Sequence, residues 1–146
     1  MRSRRAAVAL LAAVLAAAGA PACARECGPR VVDGWVRAGP PSMPMAAGFG
    51  RIENPCAAAV AVVSARSARF GSVEVHRTRI EDGIGRMRAV PRLEIAAGGA
   101  ATLAPGGLHL MLLRPRAPLA PGGRVEIEFV LEDGRRVTGM FEVRGP

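Results

Sequence analysis

The chain has 146 residues, enough for one domain of ordinary size and hardly enough for two. Its net charge is +8, from 20 basic and 12 acidic residues, and every basic residue is Arg. The absence of Lys excludes a phosphate-binding P-loop, Schiff-base chemistry and a lysine general base. With two His and no Tyr, the chain also has few of the side chains that transfer protons in most acid–base enzymes. We therefore expect no enzyme activity.

The N-terminus has the pattern of a secretory signal peptide. Three Arg within the first five residues precede thirteen apolar residues, 6–18. As a helix this run would rise about 20 Å, which is short of the roughly 30 Å core of a bilayer. We therefore expect an exported protein rather than a transmembrane one.

Two cleavage sites follow the apolar run. Cleavage after Ala24 is the preferred prediction, and it divides the chain into a signal peptide, 1–24, and one domain, 25–146. Cleavage before Cys23, with acylation of that cysteine, is the alternative and would give a lipoprotein. Removing three Arg from a net charge of +8 leaves +5, which favours acidic partners. Nucleic acid is not an expected partner, because no aromatic residues alternate with the basic ones to stack on bases.

The mature chain would retain two cysteines, Cys27 and Cys56. An even number of cysteines in an exported chain predicts a disulfide, here closing a loop of about 30 residues. A redox-active or metal-binding pair is the alternative, and it is disfavoured because the spacing is not Cys-x-x-Cys.

Short alternating or β-branched runs, separated by Gly, Pro and Asp-Gly, predict an all-β sandwich or barrel. The predicted strands are 30–38, 47–53, 58–65, 72–77, 92–95, 100–103, 108–113, 124–131 and 136–143. Asp133-Gly134 suits a tight hairpin, so the last two strands should pair antiparallel. The large residues expected in the core are Trp35, Phe49, Phe70, Phe129 and Phe141.

Both histidines lie at outward positions of predicted strands. In the strand 108–113 the leucines alternate with His109 and Met111, so these two share the outer face if the leucines face the core. The same alternation places His76 outward, together with Glu74. An outward His is most often simply solvated, and a strand Met most often fills space.

Three further methionines lie where no strand face would bury them. Met87 lies between two Arg after a turn-rich segment, and Met43 and Met45 lie in a proline-rich segment. Two imidazoles and two thioethers, if they meet, form a soft and neutral ligand set that suits Cu(I) rather than Mg(II) or Ca(II). Met43 and Met45 are candidates for auxiliary ligands, with gap filling as the alternative.

The spacing of four of these residues resembles a known signature. His76, ten residues, Met87, twenty-one residues, His109, one residue, Met111 is similar to the H-x10-M-x21-H-x-M pattern of periplasmic PCuAC copper chaperones. Neighbouring residues, among them the segment 103–112, are also similar, and the resemblance extends over about 31–143. Members often carry Met directly after the first His, where this chain has Arg77.

The resemblance implies a cupredoxin-like Greek-key β-sandwich or barrel that binds Cu(I) in the periplasm. It also implies delivery of copper toward the binuclear copper centre of cytochrome c oxidase, directly to its copper-accepting domain or through another copper chaperone. Two alternatives remain open: a copper-scavenging or storage protein of the envelope, and an interaction module without metal. Four Arg beside the ligands are expected to steer an acidic acceptor: Arg77, Arg79, Arg86 and Arg88.

Overall fold

The computed structural model describes residues 27–146, so the predicted signal peptide, both cleavage sites and Cys23 lie outside the described residues. The described residues form strands and no helix, and hence no helix that could cross a membrane. The strands are β1 (Arg30–Arg37), β2 (Met45–Glu53), β3 (Val60–Arg66), β4 (Phe70–Glu81), β5 (Ile84–Ala89), β6 (Leu93–Ile95), β7 (Ala100–Leu103), β8 (Leu108–Pro115), β9 (Arg124–Leu131) and β10 (Arg136–Arg144).

Seven of these strands close into a barrel, in the order β4-β8-β2-β1-β10-β9-β3, with β3 pairing back to β4. Its pairs are antiparallel except β1 with β10. The three short strands extend the barrel at its margins: β5 pairs with β4, β6 with β3, and β7 with the end of β2. The architecture confirms the predicted all-β, cupredoxin-like fold.

The interior of the barrel is filled by alternate residues of each strand, and Phe70, Phe129 and Phe141 are in this core as predicted. Phe49 is buried as predicted, although it lies outside the main core cluster, and the prediction was wrong for Trp35, which is only partly buried. Their rings pack against each other with centroids 4.6 Å apart. The reason is alternation: Ala46 is buried in the core, so odd-numbered residues of this part of β2 face outward.

Strand β5 was not predicted, and β4 extends beyond the end of the predicted strand 72–77. Asp82 and Gly83 have φ of 53° and 77°, the conformation of a two-residue hairpin turn, and they join β4 to β5. Beyond Arg77, β4 pairs with β5 alone, so residues 78–87 form a two-stranded ribbon that extends from the barrel. The hairpin predicted at Asp133-Gly134 is present, and it joins β9 to β10.

A disulfide joins Cys27 to Cys56, as predicted, with a Cα–Cα distance of 5.6 Å. Next to it, the side chain of Asn54 is fully buried. Its amide nitrogen donates to the carbonyls of Ile95 and Ala96 at 3.2 and 3.1 Å, and its Oδ1 accepts from the Cys56 N–H. These bonds tie the end of β2 to the end of β6 and to the residue after it.

The disulfide should contribute to stability without touching the site described below. Replacing Cys27 and Cys56 together by Ala removes the constraint on a 29-residue separation and should lower the free energy of unfolding by about 3 to 4 kcal/mol. Denaturant unfolding of the mature protein measures this change. A loss below about 1 kcal/mol would show that the cross-link does little to restrict the unfolded chain.

Candidate metal centre

The two histidines of the chain are direct neighbours across a strand pair. In the antiparallel pairing of β4 with β8, His76 lies opposite His109, and their ring centroids are 6.1 Å apart. The register is fixed from the other face of the same strands, where Val75 lies opposite Leu110 and both are buried. A shift of one residue would exchange the core face for the outer face, so burial of these aliphatic residues holds the imidazoles together.

His109 is more enclosed than the alternation predicts. Its side chain points away from the leucines of β8, yet the residue is only 5% exposed. The prediction that both histidines lie outside the core therefore needs correction, because the outer face of the barrel is itself partly covered. Nδ1 of His109 lies 3.0 Å from the carbonyl of Gly107, which can only accept. Nδ1 must donate this bond, and Nε2 keeps the lone pair with which a neutral imidazole binds a metal.

The ring of His76 contacts the carboxylate of Glu74, two residues before it on β4. Its Nε2 lies 2.8 Å from Oε2 of Glu74, on the same face of β4. Its Nδ1 is buried and has no hydrogen-bond partner, the one such side-chain nitrogen or oxygen within residues 27–146. A buried polar atom without a partner costs about 1 to 3 kcal/mol. A carboxylate on one ring nitrogen and an open second nitrogen is the usual arrangement of a metal-binding histidine.

The methionines of the signature flank this pair on the same face. Met111 lies opposite Glu74, two residues along β8 from His109. Met87 lies opposite Thr78 on the ribbon, two residues beyond His76, and is 51% exposed. Cross-strand partners share a face, so the register places all four predicted ligands on one surface across β5, β4 and β8.

Met43 and Met45 lie on the β2 side of β8 and do not adjoin the histidine pair. Together with Met111 they line a cavity of about 290 Å³. Met45 pairs with Leu113, and Ala47 pairs with Met111, so Met45 and Met111 are diagonal neighbours on the outer face. The predicted auxiliary sulfurs are thus grouped with one member of the signature rather than with all four.

The four Arg expected to steer a partner lie on the other face of the β4–β5 pair. Two directly opposed pairs alternate with the ligand positions: Arg77 with Arg88, and Arg79 with Arg86. Glu81 contacts two of them, with Arg86 Nε at 3.2 Å and Arg88 Nη2 at 3.8 Å. The basic surface therefore backs the ribbon and does not surround the histidines.

The donor set restricts what this surface can bind. Within residues 27–146, no three of His, Cys, Asp and Glu lie close enough to hold a metal ion. The other predicted ligands on the face of the two imidazoles are Met87 and Met111, which offer thioether sulfur. Thioethers are soft and neutral ligands, which select soft ions over hard divalent ones.

Two sequence comparisons relate the chain to a family of lipoproteins. The model of the family described as "Putative lipoprotein LpqE-like" matches residues 30–143. A relative from Leifsonia xyli subsp. xyli (strain CTCB07), named as a "Putative lipoprotein", is 34% identical over 108 residues. That match covers 73% of this chain and 64% of the relative, so the chain spans less than two thirds of that relative's length.

Solved structures share the fold. The copper-bound PCuAC domain from PmoF2 superposes with a TM-score of 0.67 at 22% identity, covering 81% of this chain and 93% of that domain. The solution structure of the Cu(I) form of DR1885 from Deinococcus radiodurans gives a TM-score of 0.63 at 30% identity, covering 78% of each chain.

The hydrogen bonds of the two imidazoles predict their tautomers. In the metal-free protein we expect His109 to carry its proton on Nδ1, where Gly107 accepts it, and His76 to carry its proton on Nε2, facing Glu74. Long-range ¹H–¹⁵N correlation spectra at a pH where both rings are neutral distinguish the two forms. Identical nitrogen shift patterns for the two histidines would contradict the assignment.

Proposed function

We propose that this chain, which belongs to the LpqE-like lipoprotein family, is an exported carrier that binds one Cu(I) ion with His76, Met87, His109 and Met111. The predicted relationship to PCuAC proteins is confirmed by the family match and the shared fold. The observation that carries the proposal is the cross-strand histidine pair, in which Nδ1 of His76 is buried without a partner.

Cu(I) is the ion that this donor set suits best. The Cu(I) form of DR1885 shows that a protein of the same fold, 30% identical to this chain, takes this ion. In this chain the imidazoles would bind through Nδ1 of His76 and Nε2 of His109, since the other nitrogens already have partners. Neutral sulfur ligands from Met87 and Met111 keep copper in the reduced state, because soft donors favour Cu(I).

The proposed ligands differ in solvent exposure, and this difference suits a carrier. His109 is buried, the His76 side chain is 18% exposed, and Met87 is half exposed on the ribbon. An incoming ligand from an acceptor can reach Met87 first and replace it while the histidines still hold the ion. Copper then leaves by stepwise ligand exchange, without unfolding of the barrel and without release of the free ion.

The acceptor is proposed from the family resemblance. We infer delivery toward the binuclear copper centre of cytochrome c oxidase, to its copper-accepting domain or through another copper chaperone. We also propose export to the periplasm, which the apolar N-terminal segment and the similarity to lipoproteins support. The described site is a binding site for cargo, and we assign no catalytic step to it.

A Cu(I) competition titration tests the site directly. The oxidised mature protein should take one tight equivalent from a chromophoric Cu(I) chelator under anaerobic conditions. The double substitution His109→Ala with Met111→Ala removes one imidazole and one thioether, and should weaken binding by at least 100-fold. Absorbance of the chelator complex gives the affinity.

A matched control is available on β10, where Met140 is half exposed and lies away from the β4–β8 pair. Met140→Ala should leave the affinity within twofold of the wild type. Weak binding by the wild type, unchanged in the double variant, would reject the copper site and favour an interaction module. Tight binding without transfer to an oxidase domain would instead favour storage.

The carboxylate behind His76 should tune the affinity. Glu74→Gln keeps the size of the side chain and its contact with Nε2 but removes the negative charge that makes the imidazole a better ligand. We expect Cu(I) affinity to fall by roughly 10- to 100-fold, as for other such partners of metal-binding histidines.

The matching control for this substitution is Glu126→Gln on β9, which is not a neighbour of β4 or β8 in the barrel. The same chelator titration should show no change for this variant. Equal affinities for Glu74→Gln and the wild type would mean that Glu74 only contacts the ring without tuning it.

A further inference from the structure

Three methionines line one cavity beside the proposed copper site. Met43 in the loop before β2, Met45 at the start of β2 and Met111 in β8 line one cavity of about 290 Å³. The remaining wall is formed by Arg37, Ala38, Gly39, Ala46, Ala47 and Pro146. Arg37 has the only charged side chain of this wall, and no Asp, Glu or His is among the lining residues.

The positions of these sulfurs follow from strand register and a constrained loop. Met45 and Met111 are diagonal neighbours on adjacent strands, about 7 to 8 Å apart at the backbone, within reach of two long side chains. The Met43 N–H donates to the carbonyl of Pro40 at 2.8 Å, which closes a turn. A Cβ at Gly39 would lie 2.9 Å from the Met43 sulfur, so the glycine makes room for that thioether.

Gap filling does not explain Met43 and Met45. They are 49% and 38% exposed, and neither belongs to the core cluster. Met side chains commonly fill irregular gaps inside a core, but here the thioethers border an open cavity. Exposed thioethers around a cavity whose lining residues include no Asp, Glu or His favour a soft ion.

We propose that Met43, Met45 and Met111 form a second, weaker Cu(I) site that passes the ion to or from the histidine pair. Its role in transfer rests on the proposed function, whereas its existence does not. Met111 is common to both ligand sets, so the ion can move by exchanging Met43 and Met45 for His109 and His76 while Met111 stays bound. Copper remains Cu(I) throughout, and no bond other than those to the metal forms or breaks.

The composition of the second site makes it the weaker of the two. Three neutral thioethers lack the stronger imidazole donors, and the guanidinium of Arg37 is a nearby positive charge. That guanidinium lies 5.2 Å from the centre of the Phe49 ring and forms part of the cavity wall. A weak and accessible site next to a tighter and more enclosed one gives the ion an intermediate binding site at the protein surface.

Methyl NMR of methionine-labelled protein, titrated with Cu(I) under anaerobic conditions, tests the second site. The first equivalent should shift the methyl signals of Met87 and Met111. Further Cu(I) should shift those of Met43 and Met45, which bind it more weakly because the first ion already holds Met111, while Met140 stays unchanged as an exposed control on β10. The variant Met43→Leu with Met45→Leu should lose the second event, keep the first within twofold in affinity, and load from a chelator several-fold more slowly.

A different experimental result would reject each proposal. If the methyls of Met43 and Met45 shift no more than that of Met140 in excess Cu(I), the second site is rejected, whatever the histidines do. Unchanged loading kinetics in the double Leu variant would overturn the transfer role. A variant with His76→Ala and His109→Ala should lose the first event and retain the shifts of Met43 and Met45. Tight binding that survives these two substitutions would reject the proposed function instead.

Discussion

The register between β4 and β8 is the constraint on which the site depends. Valines of β4 and leucines of β8 alternate with the candidate ligands, and their burial in the barrel fixes which residues face each other. The hydrophobic effect therefore positions His76 against His109 although it acts on the opposite side of the sheet. The candidate metal site needs no additional structural element, because the core that stabilises the barrel also sets the distance between the imidazoles.

Much of the fold and of the candidate site could be predicted from the sequence, for a physical reason. Period-two alternation in 72–77 and 108–113 identifies the outer face, and long-range spacing identifies the family. Alternation does not say which strands are neighbours, so the contact of His76 with His109 required the structure. Alternation also does not show what covers the outer face, so the burial of His109 and the packing of Trp35 against Phe49 on that face could not be predicted.

The remaining errors have local causes. Asp82-Gly83 is a strong hairpin signal, but the Arg-rich residues after it have no apolar alternation, so β5 was read as a turn-rich segment. The partner role of Glu74 depends on a side-chain contact that no pattern encodes, although its position two residues before His76 on one face of a strand permits it. Strand register decides which candidate ligand Met45 adjoins, and its diagonal position to Met111 could not be predicted from sequence distance.

Strand β5 leaves one edge of the sheet unpaired among the described strands, and the charges along this edge oppose aggregation. Among the described strands it pairs only with β4, so its outer backbone groups are free to bond with a strand of another molecule. Arg86 and Arg88 on β5, backed by Arg77 and Arg79 on β4, place positive charge along this edge. Two copies approaching edge to edge would bring like charges together. The charges therefore oppose the aggregation to which open sheet edges are prone, on a ribbon where Met87 is half exposed.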